Sequence, residues 1–130
     1  MEGIPRQGVC DYTAILDHRL ETPHGFDNTI PFEIPNNAVL SVHSILAFTI
    51  SVKLVHTDKT MPLKVTMNLH EVASYFLGNN YFGTLVKIID PYVLGHGTNH
   101  MFFELDCKDT GGCLVQVDDV ALWWFKSTTA

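Results

Sequence analysis

Two imidazoles and a carboxylate fall within a nine-residue stretch, His96, His100 and Glu104. Histidine and glutamate are the ligand types that zinc and iron accept. On a straight strand His100 and Glu104 share a face and stand about 13 Å apart, beyond the reach of one ion unless the strand bulges. His96 sits between Gly95 and Gly97, so it belongs to a loop and not to a helical turn.

The spacing of His100, Glu104 and Gly111 is similar to that of the cupin metal motif, a jelly-roll signature of two alternate histidines, a glutamate and a later glycine. The resemblance implies a metal-dependent jelly-roll enzyme using His96, His100 and Glu104, completed by a remote histidine such as His43 or His70. The chain departs from the pattern at Thr98, which stands where the first alternate histidine belongs. A polar loop followed by a strand histidine is therefore the stronger expectation. No cofactor is expected unless these residues hold a metal ion.

The seven histidines (His18, His24, His43, His56, His70, His96 and His100) are dispersed over turns and polar strand faces. Surface hydrogen bonding accounts for them more simply than a pH sensor does. Cys107 and Cys113 flank a five-residue turn and are placed to bond across it, with Cys10 left over. An odd cysteine number without an export signal favours free thiols. Asp118 and Asp119 are adjacent, so on a strand they face opposite ways and make a poor acid/base pair. Asp106 and Asp109 beside Gly111-Gly112 lack the alternating carboxylates of a calcium loop. No nucleophile elbow, phosphate loop or dinucleotide fingerprint occurs.

Trp123-Trp124-Phe125 is the aromatic cluster. On a strand Trp124 points away from Trp123 and Phe125, so either both faces are covered or an aromatic surface stays bare for a sugar, a lipid or a protein. Tyr81 and Phe82 are the other natural contacts for such a ligand.

These side chains must be positioned by strands. The chain has 130 residues, 46% of them hydrophobic and 17% charged, enough for one domain over residues 1–130 with a real core. Residues 1–8 read as an N-terminal arm. The net charge of −6 and the scattered lysines and arginines argue against direct nucleic-acid contact. No stretch reads as a membrane span or a signal peptide, which with reduced thiols points to the cytoplasm or an assembly formed there.

Period-2 alternation dominates. Leu40 to Leu54 buries its even positions, and Leu63 to Leu69 alternates after a polar turn at His56–Thr60, so the two read as an antiparallel hairpin. Met101–Cys107 and Cys113–Val117, joined through Gly111-Gly112, read as a second hairpin. Val120–Phe125 follows a bend or bulge at Asp118-Asp119. Val9–Leu16, Thr29–Ile34 and Thr84–Ile89 are further strands, and residues 71–77 read as the one short helix, with Val72, Tyr75 and Phe76 on one face. The expected fold is an all-β, antiparallel, jelly-roll-like sandwich of about seven to nine strands.

Three functions follow from this pattern. The first is a non-enzymatic structural or protein-interaction module, a subunit of a homo-oligomer or other repetitive assembly such as an outer virion component. Low charge and the aromatic terminal strand favour it. The second is a sandwich that binds a carbohydrate or an apolar ligand through Tyr81, Phe82, Trp123 and Trp124. The third is the cupin-like enzyme.

Overall fold

The computed structural model describes residues 9–16, 18–22 and 26–127. The expected arm over residues 1–8, and His24, lie outside these described residues. The strands are β1 (Val9–Ala14), β2 (Leu20–Glu21), β3 (Ile30–Ile34), β4 (Ala38–Val39), β5 (Ser44–Leu54), β6 (Thr60–Met67), β7 (His70–Gly78), β8 (Phe82–Ile89), β9 (Gly97–Leu105) and β10 (Cys113–Lys126). They form two antiparallel sheets. Sheet 1 has the order β1-β10-β5-β8 with β2 and β4 also on β10, and sheet 2 the order β3-β9-β6-β7. The two sheets face one another as an antiparallel β-sandwich.

Strand composition explains which faces meet. On β5 Leu46, Phe48, Ile50, Val52 and Leu54 are buried at alternate positions. Opposite them lie Met61, Leu63, Val65 and Met67 of β6 and Met101 and Phe103 of β9. Phe103 stands edge-on to Phe48 (centroids 5.2 Å apart, planes at 76°) and to Phe26 (6.4 Å, 85°). Such contacts add roughly 0.5–1.5 kcal/mol each beyond area burial.

On β10 the buried positions shift parity, from Val115 and Val117 to Val120, Leu122 and Trp124. The shift occurs at a bulge between Asp118 and Ala121, where Asp119 adopts φ 55°. The bend expected at this acidic pair is therefore present, inside one continuous strand.

Four expectations need correction. The strand expected from Leu40 starts at Ser44, because residues 40–42 turn and leave Val42 exposed. Residues 71–77 are strand, not helix: Thr66 pairs with Glu71 and Val65 with Ala73, leaving Val72 as an extra residue. That bulge breaks the alternation and produced the apparent helical stripe. Neither expected hairpin exists. β5 and β6 lie in different sheets, as do β9 and β10, so both polar turns carry the chain across the sandwich. Among the described residues the tight hairpin is β6–β7, turning through Asn68 (φ 49°) and Leu69 (φ 70°). Cys107 and Cys113 are bonded to each other, against the expectation of free thiols, and clamp the crossing from β9 to β10. Their Cα atoms are 5.9 Å apart, within the range a disulfide spans.

Candidate functional site

The outer face of sheet 2 carries a concave surface. Asn99, Met101 and Phe103 of β9 point into the core, so His100, Phe102 and Glu104 point out. Across the ladders Pro31 stands beside His100, Thr66 beside Phe102 and Lys64 beside Glu104. Two depressions adjoin at Phe102. One, of about 800 Å³, is lined by Thr29, Thr66, Asn68, Leu69, His100, Met101 and Phe102. The other, of about 480 Å³, is lined by Thr22, Phe26, Asp27, Phe102, Glu104, Leu105, Cys107 and Cys113. The half-buried Phe102 ring lines both depressions, which together make up the groove, with the His100 imidazole at one and the Glu104 carboxylate at the other. Lys64 is held on the same face by Glu71, 3.6 Å away.

The upper rim is built by two asparagines. Asn99 is buried, and its side chain accepts from Gly95 N (2.9 Å) and donates to Gly95 O (2.7 Å) and Gly97 O (3.1 Å). Asn68 donates to Asn99 Oδ1 (2.7 Å) and to Val93 O (2.9 Å) and accepts from His100 N (2.9 Å). The left-handed turn that Asn68 tolerates sets the fully exposed Leu69 at the groove's end. At the opposite end the bonded Cys107 and Cys113 line the smaller depression.

The expected metal ligands do not converge. His96 Nε2 donates to Ala38 O at 2.7 Å, which occupies that nitrogen and turns the ring toward sheet 1. His100 and Glu104 stand apart on β9, and among the described residues no three of His, Cys, Asp and Glu come together to hold an ion. The distance that alternation imposes on an unbulged strand is the reason. His100 and Glu104 belong to the groove instead.

The aromatic residues divide differently. Trp123 and Phe125 are exposed on the outer face of sheet 1, where Trp123 packs on Tyr12 with centroids 4.8 Å apart. Trp124 is buried and donates from Nε1 to Thr13 Oγ1 (3.1 Å). Phe82 is on the same outer face as Trp123, but six residues along the ladder from the Ile45–Ile88 pair, roughly 20 Å away. Tyr81 turns inward over Gly83, where an added Cβ would lie 3.1 Å from its hydroxyl. The structure therefore brings Trp123 and Phe125 together and leaves Tyr81, Phe82 and Trp124 elsewhere. Phe102 was missed by sequence reasoning. Its signal was an aromatic at an outward position of β9, between a histidine and an acid.

No family model matches the chain, and no curated protein matches it. Solved structures do. The chain is similar to part of dimeric latent PorU from Porphyromonas gingivalis, at 12% identity and a TM-score of 0.63 over 77% of this chain. It spans only 10% of the length of PorU, so the likeness concerns one part of that protein and shows the fold alone. Two further likenesses are weaker. The carbohydrate-binding module CBM36, solved with calcium and xylotriose, gives a TM-score of 0.44 at 12% identity, over 94% of each chain. The CBM22-1 xylan-binding domain of Paenibacillus barcinonensis Xyn10C gives 0.43 at 11% identity, over 96% of this chain and 100% of that one. The chain is a β-sandwich. Neither its fold nor these likenesses favours the virion reading over any other.

Proposed function

We propose that this chain is a non-catalytic binding module that takes a carbohydrate into the groove on the outer face of sheet 2. The observation that carries the proposal is Phe102, an aromatic ring at the junction of two depressions, with His100 and Glu104 at alternate positions on the same strand face. Sugars present an apolar C–H face and a rim of hydroxyls. The ring supplies the stacking surface. His100, Glu104, Thr66, Thr29 and Asp27 supply donors and acceptors around it.

A groove that is open along the sheet suits a chain of sugar units better than a single enclosed one. The Cys107–Cys113 bond supports work in an oxidising compartment, where such bonds persist. The test is retardation of the chain in native gels containing soluble xylan, mixed-linkage β-glucan or galactomannan. Retardation by one of them that is lost in Phe102→Ala supports the proposal. Equal mobility in all three gels, or retardation that Phe102→Ala leaves unchanged, contradicts it.

A further inference from the structure

The opposite side of the molecule carries a second surface. On the outer face of sheet 1, Tyr12 stands beside Trp123, Trp123 beside Ile45 and Ile45 beside Ile88, one row across four strands. The next row in the same direction is Ala14, Ala121, Ala47 and Val86. Phe125 flanks the large row on its other side, paired with Cys10. Among the described residues these two rows hold no charged side chain. The face is a ridge of large side chains beside a trough of three alanines.

Its extent lies toward the upper end of what a lone monomer shows. Exposure runs from 39% at Phe125 through 42% at Trp123 to 60% at Val86 and Ile88. With roughly 150–250 Å² for each fully exposed aromatic and somewhat less for each aliphatic, the patch leaves roughly 500 Å² of apolar surface bare, the upper end for a monomer. Two such patches together bury about 1,000 Å² before any rim is counted, the lower bound of a specific interface.

We propose that this face docks on the same face of a second copy of the chain. The steric pattern is self-complementary. A two-fold axis in the interface plane, running between the ridge and the trough, sets each strand over its own counterpart. Trp123 then lies over the partner copy's alanine trough, as do Tyr12 and Ile45, and each trough receives the other's ridge. A closed, isologous pair results, in which each copy's face is covered by the other's. Aligned packing of two sheets accommodates the arrangement, because each outer face then behaves as an inner one. Both grooves of sheet 2 stay open, on opposite sides of the pair, so two sugar sites would face away from each other. The dimer does not depend on those sites being occupied.

The experiment is native mass by light scattering behind size exclusion over a range of loading concentrations. The wild-type chain is expected at twice 14.6 kDa. Ile88→Glu and Val86→Glu, both on the exposed edge strand β8, are each expected to return the mass to 14.6 kDa with unchanged far-UV circular dichroism. Phe76→Glu, an equally exposed change on the outer face of sheet 2, is the control and should leave the dimer intact. A wild-type monomer at every concentration overturns the proposal. So does a dimer that survives both β8 substitutions, since it must form elsewhere. Polysaccharide retardation reports separately on the groove and can fail without affecting this result.

Discussion

Asn68 Nδ2 donates to Asn99 Oδ1 across 2.7 Å, tying an exposed turn at the groove's rim to a side chain buried beneath it. All the capacity of Asn99 is used, on Gly95, Gly97 and Asn68. Replacing it with alanine leaves the loop's amide and carbonyls without partners in a site closed to water. Asn99→Ala is expected to lower unfolding free energy by about 1–3 kcal/mol in urea titration and to weaken groove binding. A change under about 0.5 kcal/mol, the size of an ordinary surface substitution, would contradict this role.

Phe103 is fully buried between Phe48 and Phe26 and joins the two sheets. Phe103→Ala removes both edge-on contacts and opens a cavity at the centre. A loss of about 3–5 kcal/mol is expected by chemical denaturation. Phe102→Ala, one residue away but half-buried on the outer face, should lose far less stability. Equal losses at both positions would mean that the outward assignment of Phe102 is wrong.

The disulfide closes a short loop, with six positions separating Cys107 from Cys113. By the chain-entropy argument it stabilises the fold by roughly 2 kcal/mol. Reduction is expected to lower the thermal midpoint reversibly while leaving the sheets formed. Because Gly111 and Gly112 within the loop both have positive φ, the turn relies on the clamp and on glycine together. If reduction leaves the midpoint where it was, the clamp has no stabilising role.

Tyr75 faces inward beside Tyr81 at the open edge between β7 and β8. Its pKa is raised above the ordinary value of 10.0 by burial and, secondarily, by Tyr81. The folded state therefore keeps a proton that the unfolded state gives up. The associated stability is complete below pH 10.0, the unfolded value, and is lost as pH rises through the folded pKa. Absorbance titration of Tyr75→Phe against the wild type should show the loss of a tyrosine that ionises above pH 10.0. Loss of one that ionises at or below that value would contradict the assignment.

Alternation showed which side of a strand is buried: of the even positions read as inward from Leu40 to Leu54, those of β5 are buried and Val42, in the turn before it, is exposed. It carried no information about which sheet a strand joins. A run such as Leu63–Met67 buries the same face whether it lies beside β5 or across from it, so hairpins and crossings look alike in sequence. The extra residue Val72 shows a second limit, because one bulge converts an alternating strand into a helix-like stripe. The opposite facing of Trp123 and Trp124 was legible, since it needs only the strand period. The groove was not. Its floor combines Phe102 and Thr66 from paired strands with Thr29 and Asp27 from a distant loop, and the pairing that unites them is long-range.

Amide chemical-shift mapping during titration with the soluble polysaccharides tests most directly whether the outer face of sheet 2 binds a carbohydrate. Shifts concentrated at His100, Phe102, Glu104 and Thr66, saturating with one polysaccharide and abolished by Phe102→Ala, are the expected result. Shifts confined to the Tyr12–Trp123 face, or none with any of them, would contradict it.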